Sequence, residues 1–445
     1  MLICLSASAV GQERYLEIVR KYGKPNLFIE AVKFPASSPD SLRLLVNFKV
    51  SYNYLVFVKS KNDQFSAEAL FSVEVLKEGL GAGRQIVKRS VVAKDFAETE
   101  EKQKYVSASL EMRLATGKYE FIAEVLDNQN QKPLTQKKET LDLTWNSLPI
   151  RLSDPLFLDS YTTQKKQCKL IPLAFSGKGL FGKKYTSAVE VFLPKGDSLA
   201  KLQYELLQIS GDDSTVVKSG VVEGRDVLPI SPIHEGLANF NTLGVVVTMQ
   251  AHSECGLALI DFNSSELDNA KYKLVITAES KQGNKGRMEK EFENAWIDMP
   301  YPLYDIDLAL RLMTYILSPK AIDELEVGNA VQRRNNFKQY WKKKDPTPET
   351  AFNEVMAEYF RRVDYAFFNF YTTNEYGWRT DRGRIYILYG EPHKVDRVFP
   401  INEPTRESWF YDSPINKKFI FSDQDNNGNY KLVSESRFSG ENKGS

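Results

Sequence analysis

At 445 residues the chain is too long for one ordinary core, and at about 150 residues per domain it divides into roughly three. Its apolar fraction of 42% lets each domain bury a real core, while 59 Lys and Arg nearly balance 58 Asp and Glu. That balance leaves no electrostatic footprint of a nucleic-acid binder, and no stretch reaches the about 18 apolar residues of a membrane span.

The first eleven residues read as the remnant of a secretory signal. A short apolar run from Leu2 to Leu5 gives way to small residues, and Ala9-Val10-Gly11 before Gln12 fits a small-x-small cleavage site. The competing reading is a frayed cytosolic N-terminus. Cys4 follows Ile3, a poor match to a lipoprotein site. The export reading places the protein in the periplasm, in the cell envelope or outside the cell. There the two remaining cysteines, Cys168 and Cys255, are either a disulfide pair or two buried thiols.

Residues 12–24 form a polar lead. From 25 to 145 the chain is written in period two. Leu42, Leu44, Val46, Phe48 and Val50 alternate with Arg43, Leu45, Asn47 and Lys49; Ala67 to Val75 and Tyr119 to Val125 repeat the pattern. Alternation of this kind puts one side of each strand on a core and the other largely toward water. A linker is predicted over 146–164, around Leu148-Pro149 and Asp154-Pro155, and the strand pattern resumes over 165–297, as in Tyr272, Leu274, Ile276 and Ala278. Thr116-Gly117-Lys118-Tyr119 and Asn269-Ala270-Lys271-Tyr272 match in type and place, each a turn entering the last long strand of its half. The fold class that follows is two tandem all-β domains, Ig-like antiparallel sandwiches, ahead of a third domain of another kind.

That third domain spans 298–437, with a disordered tail over 438–445. Ile306, Ala309, Leu310 and Met313 recur at helical spacing, and Ser318-Pro319 stops the helix. A basic helical stretch, Arg333 to Lys344, carries Phe337 and Trp341 four apart. It reads as one solvated face, or as a surface for an acidic partner. Thr347 is the predicted N-cap of the next helix, with Pro348 at its first position. Phe352, Val355, Tyr359, Phe360, Val363 and Phe367 form that helix's apolar face. Strands follow at Arg384–Tyr389, Ser408–Tyr411, Lys418–Ser422 and Tyr430–Val433, so the third domain is α+β, helices then antiparallel sheet.

The run Gly377-Trp378-Arg379-Thr380-Asp381-Arg382-Gly383-Arg384, ending in Gly390-Glu391-Pro392, resembles the signature of the GWxTD domain, with Arg379 at its variable position. Trp341 to Pro348, Asn353, Tyr359 and Arg361-Arg362-Val363 resemble the family's helical lead-in, and Glu407 to Tyr411 its closing strands. The match covers about residues 300–435. His393 departs from it, standing where an acidic residue is expected. The resemblance implies an exported bacterial protein with this domain at its C-terminal end. It implies no reaction and supplies no catalytic residues.

The residues themselves suggest a structural motif of Gly377, Trp378, Thr380, Asp381, Gly383, Gly390 and Pro392. Gly377 releases a helix end, Trp378 is a buried anchor, Thr380-Asp381 closes a turn, and Gly383 takes a positive φ before a strand. Arg382 or Arg384 pairs with Asp381 or Asp345. The sharper reading puts Trp378, Asp381, Arg382, Arg384, Asp345 and Glu407 around a cleft for a carboxylate, phosphate or sugar, with two acids serving hydrolysis of a glycosidic bond.

No cofactor or metal is expected. Gly177-Lys178-Gly179-Leu180-Phe181-Gly182 has the letters of a dinucleotide fingerprint without its strand–turn–helix context. Asp423 to Gly428 begins like a calcium loop, but Ser434 stands at the twelfth position. The histidines His234, His252 and His393 are isolated, apart from His252 beside Cys255. The leading expectation is a non-enzymatic envelope protein with a protein or glycan partner; the alternative is a hydrolase of an envelope polymer.

Overall fold

The computed structural model describes residues 13–59, 63–129, 132–231, 244–251, 253–263, 267–373, 375–401 and 403–438. The signal remnant, His234, His252 and the last seven residues lie outside these. The contacts divide the chain into two compact units, Pro25–Ile297 and a second that joins residues up to Lys24 to those from Asp298.

Pro25–Ile297 is built from mostly antiparallel sheets. In its first half, the strands Leu27–Pro35, Ser41–Ser51 and Tyr105–Ala115 form one sheet, and Phe65–Lys77, Leu80–Ala93, Gly117–Asp127 and Lys132–Leu143 belong to another. The short helix α2 (Phe96–Thr99) lies between two of these strands in sequence. The alternating residues read from sequence form the core: Leu44, Val46 and Phe48 with Phe71, Val73, Phe121 and Ala123 are all at most 1% exposed. The second half repeats part of this pairing. The hairpin Leu199–Ser210/Asp213–Glu223 joins the hairpin Ala270–Ser280/Lys285–Ala295, just as Phe65–Lys77/Leu80–Ala93 joins Gly117–Asp127/Lys132–Leu143. The matched tyrosines make the same bond. Tyr119 donates to the carbonyl of Ala115 at 2.8 Å and Tyr272 to that of Asp268 at 3.3 Å, each four residues back. Each tyrosine stands in the penultimate strand of its half, one strand earlier than expected.

Two sequence expectations fail here for one reason. The stretch 146–164 is not a linker, because Arg151–Leu152 and Leu156–Gln164 are strands paired with Lys184–Phe192, and Ile150 is fully buried. Nor does the Ser41–Ser51 strand turn Arg43, Leu45 and Asn47 to water; these are 4%, 1% and 1% exposed. Leu45 packs with Leu156, Leu158 and Leu257, and Arg43 is salt-bridged to Glu190. The second layer of strands covers the outward face of the first. Cys168 and Cys255 are buried free thiols in that layer.

The seam contains Glu30, 6% exposed, whose carboxyl is pushed up to about 7 by burial and pulled back by Asn47 and Lys290. An acid raised from 4.5 contributes stability that is fully present below pH 4.5 and lost as pH rises through 7. Raising the pH from 5 to 8 is expected to cost Pro25–Ile297 about 2.5 kcal/mol through Glu30. Urea unfolding at a series of pH values measures it. Burial likewise pushes the Glu190 carboxyl up to about 7, so Glu30→Gln should reduce that slope without abolishing it, and an unchanged slope would remove Glu30 as a source.

In the second unit, residues 13–21 form helix α1, so the polar lead is part of a folded body. Tyr15 is 1% exposed, stacks on Phe367 at 3.8 Å and donates to Asp364. Tyr22 stacks on Tyr304 at 4.1 Å. Then come α3 (Ile306–Arg311), α4 (Pro319–Leu325), α5 (Ala330–Lys342), α6 (Glu354–Asn369) and α7 (Asp381–Tyr389). A four-stranded antiparallel sheet closes the unit, in the order Lys394–Val398, Thr405–Tyr411, Lys417–Asp423, Lys431–Arg437. Helix α6 begins six residues later than predicted. Its N-cap is Asn353, which accepts from the Met356 N–H at 2.7 Å and donates to the Trp341 carbonyl at 2.9 Å. The predicted strand Arg384–Tyr389 is helix α7.

Candidate functional site

The motif is a close crossing between the end of α6 and the start of α7. Thr380 caps α7, accepting from the Gly383 N–H at 3.0 Å and donating to the Gly377 carbonyl at 2.8 Å. Its hydroxyl thus ties the entering loop to the first turn. A side chain at either glycine meets backbone. A Cβ on Gly377 falls 1.9 Å from the Ala366 carbonyl oxygen, and one on Gly383 falls 1.8 Å from the Gly377 oxygen. Gly383 is therefore required by contact and not by a positive φ, and it sits inside a helix. Gly377 does not end α6, which stops at Asn369. Gly390 closes α7 at φ 82°, and its carbonyl accepts from the Tyr411 hydroxyl at 2.8 Å. Pro392 is half-buried just beyond.

Trp378 is only half-buried. Its carbonyl accepts from the Tyr315 hydroxyl at 2.8 Å, and Arg379 lies over its ring at 4.8 Å. The buried indole anchors are Trp341 and Trp409, each 2% exposed.

The expected acids fall into three separate places. Asp381 accepts from the Leu432 N–H at 2.8 Å, which pins α7 to the last strand, and from Arg384 at 3.4 Å. Asp345 holds its own turn, accepting from the Thr347 N–H at 3.0 Å. Glu407 is 2% exposed and has three partners: Arg397 at 2.7 Å, the Trp409 indole N–H at 2.6 Å, and Arg382 at 3.7 Å. Arg382 lies over the rings of Tyr430 at 4.2 Å and Phe370 at 5.3 Å and donates to the Gly428 carbonyl at 3.3 Å. Burial draws its guanidinium pKa down and Glu407 pushes it back. The structure thus brings together Arg382 and Glu407, and separately Asp381 and Arg384.

Arg397, Trp409 and Tyr430 complete the cluster and were not singled out from sequence. The readable signal was Glu407, an acid on the face of its strand that carries Trp409 and Tyr411. Asp364 was missed in the same way. It is an acid among the apolar residues of α6, accepting from Tyr15 and, at 3.1 Å, from the Tyr301 N–H.

The remaining motifs resolve as turns. Asp423 accepts from the N–H groups of Asn427 at 3.2 Å and Gly428 at 2.8 Å, closing the hairpin at the run that begins like a calcium loop. Gly177 to Gly182 leads into the strand Lys184–Phe192, with no helix after it. His393 accepts the Asp412 N–H at 3.1 Å. Among the described residues, no group of three His, Cys, Asp or Glu side chains is placed to hold a metal, and no helix is long and apolar enough to cross a membrane.

Residues 280–442 match the model of the GWxTD domain. No curated protein matches the chain. Among solved structures, red sea bream transglutaminase is 13% identical, with 61% of this chain and 32% of that one covered and a TM-score of 0.17. A putative membrane anchored protein from Corynebacterium diphtheriae is 13% identical over 61% and 59%, at 0.17. The major pilin subunit of Bacillus cereus is 8% identical over 60% and 66%, at 0.15. The chain spans about a third of the transglutaminase and less than two thirds of the other two. At such scores these likenesses carry no functional argument.

Proposed function

Because the chain carries a GWxTD domain, we propose that it is a non-enzymatic binding or scaffold protein of the cell envelope. Its C-terminal unit holds a protein or glycan partner, and its β halves serve as spacers or docking modules. The observation that carries this reading is the state of the motif's charged groups. Glu407 is enclosed by two arginines and an indole N–H, and both oxygens of Asp381 have donors. Glycoside hydrolysis needs two carboxyls facing a shared space that holds the sugar. These two acids instead face the side chains and backbone that fix α7 to the sheet. The envelope part of the reading rests on the apolar-then-small run at residues 2–11.

A protein partner is favoured over a glycan by the edge strand Lys394–Val398 and the segment after it. Phe399 and Ile401 are 72% and 90% exposed there. An edge strand offers unpaired backbone groups, and large apolar side chains in water mark contact sites.

The test has two parts. Purified chain is incubated with isolated envelope polymer, and soluble fragments are measured; none are expected. Fragment release that Asp381→Asn or Glu407→Gln abolishes would establish the hydrolase instead. Envelope fractions are then passed over immobilised wild type and over the Phe399→Ser/Ile401→Ser variant. A partner retained by wild type and lost by the variant is the expected result.

A further inference from the structure

Helix α5 buries one side only. Phe337 and Trp341 are 3% and 2% exposed, against Phe360 and Tyr359. The rest of its surface carries charge of a single sign. From Val327 to Lys344 the sequence holds the cations Arg333, Arg334, Lys338, Lys342, Lys343 and Lys344, and no acid. Arg333 is bonded to Asp307 at 2.7 Å. The other five are exposed, and none forms an ion pair among the described residues.

Elsewhere in this unit basic side chains commonly have acidic partners. Arg361 and Arg362 share Glu358, Arg382 and Arg397 share Glu407, and Lys417 meets Glu435. A merely solvated helix face intersperses the two signs. Attraction to the negative helix end accounts for Lys342 to Lys344. It does not account for Arg334 and Lys338, which sit in the body of the helix.

The geometry points to a partner. Val331, Arg334, Lys338 and Lys342 follow one another at spacings of three and four, so they form a single stripe. Val331, 68% exposed, puts an apolar group on the first turn of the stripe, and Val327, 65% exposed, stands just before the helix. Flexible lysines in a row carry little shape information, as expected for a laterally mobile field of headgroups and not for a pocketed acidic protein. Basic residues beside a few exposed apolar ones, on one side of a helix, are the recognised pattern for lying at an anionic lipid interface.

We propose that the exposed face of α5 docks the C-terminal unit onto the surface of an anionic phospholipid bilayer. The helix lies along the headgroups and does not cross them. This stands independently of the partner-binding reading, since lipid vesicles supply no protein or glycan.

The experiment is co-sedimentation of the full chain with vesicles of phosphatidylcholine alone and of phosphatidylcholine with about 30% phosphatidylglycerol. Binding is expected only to the anionic vesicles. It should fall at least about tenfold at about 0.5 M salt and in Lys338→Glu/Lys342→Glu/Lys343→Glu. All three positions are exposed; Glu at 342 and 343 faces the negative end of α5, so Lys338→Gln/Lys342→Gln/Lys343→Gln, which adds no opposing charge, is tested alongside and should also weaken binding. Val331→Ser weakens binding further without changing charge, which separates the apolar contribution. Equal binding to neutral vesicles, or undiminished binding by the charge-reversed variant, overturns the proposal. So does capture of the chain by soluble polyglutamate with no sedimentation on anionic vesicles, which assigns the face to an acidic macromolecule.

Discussion

Gly383→Ala is expected to abolish the folded C-terminal unit while leaving Pro25–Ile297 intact. The added methyl would lie 1.8 Å from the Gly377 carbonyl oxygen, 2.9 Å from its carbon and 3.2 Å from the Thr380 hydroxyl. None of these is the free end of a flexible side chain. The first two are backbone, and the third is held by two hydrogen bonds. Overpacking of a core ordinarily costs about 1–3 kcal/mol because side chains can shift. Here relief requires α7 to move off its entering loop, so the expected loss exceeds about 4 kcal/mol. Gly377→Ala meets the Ala366 carbonyl oxygen at 1.9 Å and should behave alike. Gly81→Ala has nothing within 4 Å and serves as the neutral control. Limited proteolysis followed by mass analysis reads the result. Residues 298–438 should be digested in the variant, with the β-rich unit surviving. A fully protected Gly383→Ala chain would refute the close crossing.

Glu407→Ala should destabilise the same unit by about 3–5 kcal/mol, because removing one partner of a buried ion pair leaves the other charged and unsatisfied. The Arg382 side chain, 13% exposed, keeps its rings and the Gly428 carbonyl but loses its carboxylate. The Trp409 indole N–H loses its acceptor too. Glu407→Gln preserves an acceptor for the indole and should fall between. Arg397→Ala removes a side chain that is 59% exposed and should cost at most about 1 kcal/mol. That ordering, measured by urea unfolding, distinguishes a structural lock from a catalytic acid. A catalytic Glu407 would give a Gln variant of unchanged stability and lost activity.

The β-rich unit was legible where a strand has one dry face. The alternation at Leu42 to Val50 and Ala67 to Val75 named core residues that the structure buries. It failed where a second layer covers the other face, since Arg43 and Asn47 are polar letters that mean solvent unless something packs on them. Helix α7 was misread for a related reason. Ile385 and Ile387 are both 2% exposed and two apart, because this short helix is enclosed by more than one neighbour and shows no single stripe. Helix α1 carries Tyr15 and Ile18 three apart, with Tyr22 just beyond its end, but its hydrogen-bond partners lie 291 and 349 residues away in sequence, beyond any local signal. The motif's residue types were identified correctly and their roles only partly. Thr380 ties its own turn as expected, whereas Asp381 reaches across to the Leu432 N–H of the last strand. The positive φ assigned to Gly383, and the burial assigned to Trp378, belong in fact to Gly390 and Trp409.

The membership of α1 in the C-terminal unit has a mechanical consequence. The chain leaves that unit after Lys24 and returns at Asp298, so Pro25–Ile297 is an excursion between two parts of one body. Tension applied through α1 and the last described strand would be borne by contacts within that unit, the Tyr15–Asp364 and Arg14–Asp305 pairs among them. On the ribosome the order is inverted. The excursion can fold as it emerges, while α1, made before it, waits for Tyr301 to Phe368 before it finds its seat.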